Sequence, residues 1–267
     1  MSDVDDLRPR VAAAVGALRE RAPLVHGATG SVTRALVADG LLAAGARPML
    51  TESAAEAPTL VTVADALLVN LGSLSTDGMV GFLPTARTAA ERGVPWVLDP
   101  TAIGIAPVRT PLARELLALR PSVVRGNASE VLVLAGGTTG GRGADSTACP
   151  EAAARATRAL ALDHACVVAV SGEVDLVTDG RRSARISSGT PLLTRVTGTG
   201  CLLGALTAAH LAVATPFVAA VAATALLTVA SERVAHLRPG SFRVGLLDAL
   251  DEVGADEVAG EVRLAWG

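Results

Sequence analysis

The stretch Val196-Thr197-Gly198-Thr199-Gly200-Cys201-Leu202-Leu203-Gly204-Ala205-Leu206 sets Gly-Thr-Gly between an apolar, β-branched lead-in and an Ala/Leu-rich helical pattern. Glycines at the mouth of a helix let a ligand approach the backbone without Cβ obstruction. The free N–H groups of the first turn, with the positive end of the helix dipole behind them, form an anion hole suited to phosphate. A lone Gly-x-Gly is equally a tight strand-to-helix turn. The other polar residues that close apolar runs decide between the two. They are Asn70, Asp99, Arg125 with Asn127 and Glu130, and Ser171 with Glu173. Together they supply a cation for phosphate and two carboxylates able to hold Mg²⁺ partly through water. Phosphoryl transfer needs little beyond positioning and charge stabilisation, which this set provides.

Each member has an ordinary alternative. Asp99 before Pro100 suits a turn, and Arg125 at a strand end suits a surface ion pair. Asn127-Ala128-Ser129-Glu130 is a helix-capping pattern. Cys201 suits a small buried apolar position, although a thiol at a helix N-terminus has its pKa lowered from about 8.5 and would serve as a general base. His164, His210 and His236 read as packing or surface histidines.

Composition narrows the chemistry further. All 23 basic residues are arginine, so a Walker A lysine and a Schiff-base lysine are both excluded. Any cation that holds ATP must then be Arg or a metal. A net charge of −3 spread without blocks argues against a nucleic-acid surface. Cys149, Cys166 and Cys201 have neither disulfide nor zinc spacing. The acidic start Met1-Ser2-Asp3-Val4-Asp5-Asp6 lacks a signal-peptide core, which predicts a cytoplasmic protein. Leu202 to Ala230 carries no charge and is long enough to span a bilayer. His210, Pro216 and several threonines interrupt it, so it reads as a buried helical hairpin with no membrane partner.

The elements that must position these residues alternate along the chain. Helices are expected at 3–22, from Ser31 as N-cap through Ala44, near 76–92, from Thr110-Pro111 to about Leu119, and from Asn127. A Gly-rich connector at 136–143 precedes a helix near 150–163. Strands are expected at Pro48–Thr51, Ala66–Asn70, Pro95–Pro100, Ser122–Arg125 and Cys166–Val170, with a hairpin of Val174–Thr178 and Arg182–Ser187 across Asp179-Gly180. Helices follow at about 200–213, 217–236, 241–252 and 255–265. Strand–helix alternation predicts an α/β fold, a mostly parallel central sheet with helices on both faces, in a single domain over 1–267. Ligands in such a sheet bind outside the carboxyl ends of the strands.

The chain resembles the hydroxyethylthiazole kinase family, whose fold is ribokinase-like. The resemblance rests on Val196–Leu206, Val97-Leu98-Asp99-Pro100, Arg125-Gly126-Asn127-Ala128-Ser129-Glu130, Ser171-Gly172-Glu173-Val174-Asp175 with Thr178-Asp179-Gly180, and Pro239-Gly240-Ser241-Phe242, in that family's order. It implies ATP- and Mg²⁺-dependent phosphorylation of 4-methyl-5-(2-hydroxyethyl)thiazole in thiamine biosynthesis or salvage. It also implies ATP contacts at Arg125 and Ser171, substrate contacts at Gly198, Leu50 and His26, and Mg²⁺ service from Asp99 and Glu130. Cys201, with Gly198 and Gly200, would take the catalytic position, in a homotrimer with sites between subunits. Departures lie on the alcohol side. His26-Gly27-Ala28-Thr29-Gly30 replaces H-N-I-T-N, Leu50 replaces Met, Ile103 and Ile105 make a greasier lining, and Arg142 stands for a common Lys. A kinase for another small alcohol, or a non-catalytic ligand-binding descendant, is the alternative.

Overall fold

In the computed structural model, which describes residues 7–137 and 150–266, Leu7–Arg21 (α1) leads into Leu24–Ala28 (β1), Arg34–Ala43 (α2) and Arg47–Met49 (β2). A short helix at Ala57–Leu60 (α3) precedes Ala66–Asn70 (β3), Thr76–Arg92 (α4), Trp96–Asp99 (β4), Arg109–Ala118 (α5), Val123–Asn127 (β5) and Ala128–Leu134 (α6). Pro150–His164 (α7), Val167–Ser171 (β6) and the hairpin Asp175–Thr178 (β7) with Ser183–Ile186 (β8) follow. The chain ends in Thr199–Leu211 (α8), Pro216–Arg233 (α9), Pro239–Glu252 (α10), Ala255–Glu261 (α11) and Leu264–Trp266 (β9). The strands form one sheet in the order β2-β1-β3-β4-β5-β6-β7-β8-β9. Pairing is parallel from β2 through β6 and antiparallel from β6 to β9.

Because both faces are covered, the central strands are apolar without alternation. Strand parity divides them between two cores. Leu68, Val97, Val123 and Val167 point into one core with α1, α2, α8, α9, α10 and α11. Leu67, Leu98, Val124 and Val168 point into the other, with α4, α5, α6 and α7. Helix α8 is apolar all round because it is sandwiched between the sheet and the outer helices α2 and α9. Its polar side chains turn to nearby carbonyls, although His210 Nε2 stays buried with no partner among the described residues. Thr207 donates to the Leu203 carbonyl at 2.8 Å, and the His210 ring lies 2.7 Å from the Leu206 carbonyl through Nδ1. Burial pushes the His210 pKa down to about 4, so the ring is neutral at physiological pH. Among the described residues, only α9 is long and apolar enough to cross a membrane, and 83% of it is buried inside the protein.

Most expected boundaries hold to within a few residues, and α4 starts and stops where expected. Ser75 caps it by accepting the Gly78 N–H at 2.9 Å, and Gly93 in the left-handed region ends it. Three differences have physical reasons. Arg34, not Ser31, opens α2, and no side chain caps that end. Helix α5 begins at Arg109 because the Thr110 hydroxyl is engaged by the Gly104 N–H and the Ala106 carbonyl. The chain leaves α11 at Glu261 to add β9, held by Trp266 stacked at 6.0 Å on Phe217, whose ring also lies under Arg182. Three residues are too few for a period-2 signal to appear in sequence. The expectations on residues 1–6, Cys149, Arg142 and most of the 136–143 connector lie outside the described residues.

Helices α2 and α8 meet at Gly40, where an added Cβ would lie 2.3 Å from Leu202 Cδ1. Gly40→Ala is therefore expected to destabilise the fold by roughly 1–3 kcal/mol, the range for overpacked cores. Thermal melts read this as a lowered Tm, which Leu202→Ala in the same chain should partly restore.

Candidate active site

Parity and register together place the site. Asn70 stands opposite Asp99 at the ends of β3 and β4, and Asn127 opposite Ser171 at the ends of β5 and β6. Asp99, Arg125 and Ser171 lie two or four residues after Val97, Val123 and Val167. All three side chains therefore leave the sheet on the α8 face. Gly198 precedes the first turn of α8 in the left-handed region, with φ +97°, and no side chain caps that turn. The Thr199 hydroxyl braces the approach by donating to the Leu193 carbonyl at 2.6 Å. A Cβ at Gly198 would press on Thr33 and Leu36 of the α2 entry at 3.0 and 3.2 Å. The glycine is thus required by conformation and by contact.

Gly200 and Gly204 let α8 settle on the polar strand ends. A Cβ at Gly200 would lie 2.8 Å from Arg125 Nη1, and one at Gly204 would lie 3.2 Å from Asp99 Oδ2. The Arg125 guanidinium donates to Ser171 Oγ at 2.8 Å and to Asp99 Oδ2 at 3.5 Å. Its Nε is buried with no partner among the described residues. Arg125 is therefore a bridge across the site, and the surface ion pair is excluded.

Asp99 is fully buried, and desolvation pushes its pKa up against the pull of Arg125 and two neutral donors. One of these, Thr101 Oγ1, donates to Asp99 Oδ1 at 2.8 Å and itself accepts Asn70 Nδ2 at 3.3 Å. Glu130 is buried too, and desolvation and then the charge of Asp99 push its pKa up. Both its oxygens accept backbone N–H groups, from Ala102 and Asn127. The capping pattern is therefore real, yet it leaves a second oxygen for another loop. No group of three His, Cys, Asp or Glu side chains that could hold a metal ion occurs among the described residues.

Cys201 lies beside Asp99 and Arg125, with Thr33 and Asn70 within hydrogen-bonding reach of its sulfur. Here the structure corrects the sequence reading. Burial, and next the negative charge of Asp99, push the thiol pKa up, against Thr33, Arg125 and Asn70. Cys201 is a protonated thiol at neutral pH rather than a thiolate base. His26 stands apart from this cluster. It pairs in register with Leu67, so its ring lies on the sheet face away from α8, buried, with Nε2 2.9 Å from the Thr51 carbonyl oxygen. Gly27 takes the α8 face instead, and Leu50 fills the space its side chain would need, with Cδ2 only 2.4 Å from an ideal Cβ. Ile103 packs into the second core and Ile105 is 74% exposed, so Ile103 does not line the α8 side. Gly30 is closed by backbone. A Cβ there would meet the Gly72 carbonyl at 2.2 Å.

Asp175 was not singled out as a site residue by pattern, since its role depends on the turn it closes. Its carboxylate accepts the Gly172 N–H at 2.9 Å beside the Ser171 end of the site. Burial pushes its pKa from 3.8 to about 6, against that bond and the charge of Arg125. A carboxyl whose pKa rises on folding favours the folded state while protonated, and that contribution is lost as pH rises through about 6. Asp175→Asn keeps an oxygen for Gly172. It is expected to raise Tm above about pH 6 and to change it little below about pH 4, as melting curves across this range would read.

The chain is similar to known proteins over nearly its whole length. The family model described as the hydroxyethylthiazole kinase family matches residues 15–256. A hydroxyethylthiazole kinase from Kineococcus radiotolerans is 49% identical over 95% of this chain and 94% of its own. One from Klebsiella pneumoniae (strain 342) is 46% identical over 87% and 91%. The structure of the hydroxyethylthiazole kinase protein from Pyrococcus horikoshii OT3 superposes with a TM-score of 0.88 at 34% identity, covering 96% of this chain and 98% of that one. A pyridoxal kinase from Staphylococcus aureus, solved with ADP, shares the fold alone, with a TM-score of 0.61 at 18% identity over 92% and 99%. By the span of the family model and the identity of these relatives, this chain belongs to the hydroxyethylthiazole kinase family.

Proposed function

We propose that the protein is a phosphotransferase that moves the γ-phosphoryl group of ATP to the primary alcohol of 4-methyl-5-(2-hydroxyethyl)thiazole, in thiamine biosynthesis or salvage. The observation that carries the reading is the uncapped Gly198-Thr199-Gly200 start of α8 facing Arg125, Ser171 and Asp99 at the strand ends. Arg125 and Ser171 hold the nucleotide phosphates, and with no lysine in the chain a bidentate guanidinium is the apt cation. The backbone N–H groups at Gly198–Cys201 receive the charge that develops on the transferring group. The alcohol oxygen bonds to the γ-phosphorus as the bond to the ADP oxygen breaks, and the alcohol proton passes to solvent water.

Asp99 and Glu130 fit a divalent cation. They are two buried carboxylates, Asp99 pushes the Glu130 pKa up, and one guanidinium serves both. Since both Glu130 oxygens already accept backbone donors, it would serve the ion through water, as Mg²⁺ readily allows. Held there, Mg²⁺ would supply positive charge to offset that of the triphosphate during transfer. Cys201 borders the alcohol as a neutral thiol. A loose transition state asks little of a base before bond formation.

The substrate lies against Gly198 and Leu50. The Leu50–Gly27 contact makes this side apolar, and apolar pockets discriminate by only about 10–200-fold per methylene. The chain acts as one domain over 1–267, consistent with a single continuous sheet. We read it as cytoplasmic and homotrimeric. The exposed apolar side chains of Val63, Met79 and Val80, around the start of α4, would suit a subunit contact.

Two measurements test the reading. The first is kcat/KM for ATP-Mg²⁺ with a panel of thiazole, pyrimidine and other apolar ring alcohols. The thiazole should be turned over with neighbours of similar size tolerated, and Leu50→Ala should broaden the range. No turnover of any alcohol would leave only a ligand-binding descendant. The second is Arg125→Ala, which should raise KM for ATP more than KM for the alcohol, with Arg125→Lys in between. Equal effects on both substrates would make Arg125 structural.

A further inference from the structure

Glu130 does more than cap α6. A cap needs one oxygen, and Oε2 supplies it by accepting the Asn127 N–H at 2.8 Å. The other, Oε1, accepts the N–H of Ala102, in the loop after β4, at 2.8 Å. Ala102 has φ +61°, a left-handed conformation that residues with a Cβ rarely adopt. Across this turn the Ile103 N–H to Pro100 carbonyl bond is long, at 3.3 Å. The residue before it, Thr101, donates its hydroxyl to Asp99 Oδ1 and accepts the Asn70 amide. The carboxylate reaches the loop by lying over Gly126, where a Cβ would stand 3.1 Å from Oε2 and 3.8 Å from Pro100.

We propose that Glu130 is a positioning residue. By holding Ala102 in its left-handed turn it fixes the Thr101 hydroxyl on Asp99, and so the direction of the Asp99 carboxylate at the α8 face. The effect on rate rests on the proposed role of Asp99 in phosphoryl transfer. The clasp itself does not, and the two can fail separately.

The test uses the full chain without metal, nucleotide or alcohol, followed by turnover. Hydrogen exchange of the wild-type protein should find the Ala102 amide protected. In Glu130→Gln, whose amide group must face one of the two N–H donors, that amide should exchange roughly 5–30-fold faster, the factor that one or two kcal/mol of lost local stability produces. Asn127→Ala removes the reciprocal half of the cap, in which Asn127 Oδ1 accepts the Glu130 N–H at 2.9 Å, and not the clasp, so it should lower Tm while Ala102 stays protected. Turnover of Glu130→Gln should fall, and adding Ala102→Gly should recover much of the lost kcat, because glycine holds the turn without help. An Ala102 amide that exchanges like a free loop amide in the wild-type protein would overturn the proposal, even if no Glu130 variant folds. So would a Glu130→Gln protein with unchanged exchange, a raised Mg²⁺ requirement and no recovery from Ala102→Gly. If no alcohol is turned over at all, the exchange measurements still decide the clasp.

Discussion

The ion pair of Arg125 with Asp99 is the constraint on which the site depends. A carboxylate with no exposed surface is tolerable only if its charge is met, and the guanidinium 3.5 Å away meets it while Thr101 occupies the other oxygen. The guanidinium is in turn held by Ser171 and pressed against Gly200. Three strands and one helix therefore converge on a single cation. Its fork geometry explains why arginine suits this position, since a point-charge ammonium would not reach both partners along fixed directions.

The rest of the fold makes that convergence rigid. Helix α8 lies in the first core against β1, β3 and β4, and its glycines at 200 and 204, one turn apart, are cut to fit Arg125 and Asp99. On the far side α9 and α2 press it down, with Leu202 filling the notch at Gly40. A helix free of charge over its whole length is thus a consequence of its place between layers, and Thr207 and His210 Nδ1 turn to carbonyls of their own preceding turn.

Much of this was legible in the sequence because it depends on local pattern. Continuous apolar runs ended by single polar residues gave β3 and β4, and Ser75 and Gly93 delimit α4 by capping chemistry alone. The Gly-Thr-Gly turn and the polar strand ends were visible for the same reason. What was not legible depends on three-dimensional neighbours. The side of the sheet that His26 faces follows from a one-residue register choice, and β1 runs on through Gly27 to Ala28, where a glycine weakens the strand pattern. The upward shift at Cys201 comes from burial and then from the Asp99 charge beside it, neither of which a helix-terminus rule contains. The second partner of Glu130 is 28 residues away in the chain, and the capping motif is silent about it.

The interlock of Gly27 with Leu50 bears on how this lineage can change. Position 27 has no side chain because Leu50 reaches into its space, and the leucine rests there because nothing occupies position 27. Each residue is the condition for the other. A larger residue at 27 would arise against a clash unless position 50 had already turned aside, while trimming 50 alone would leave a hollow. The two positions are therefore coupled, because a change at one alters the room at the other.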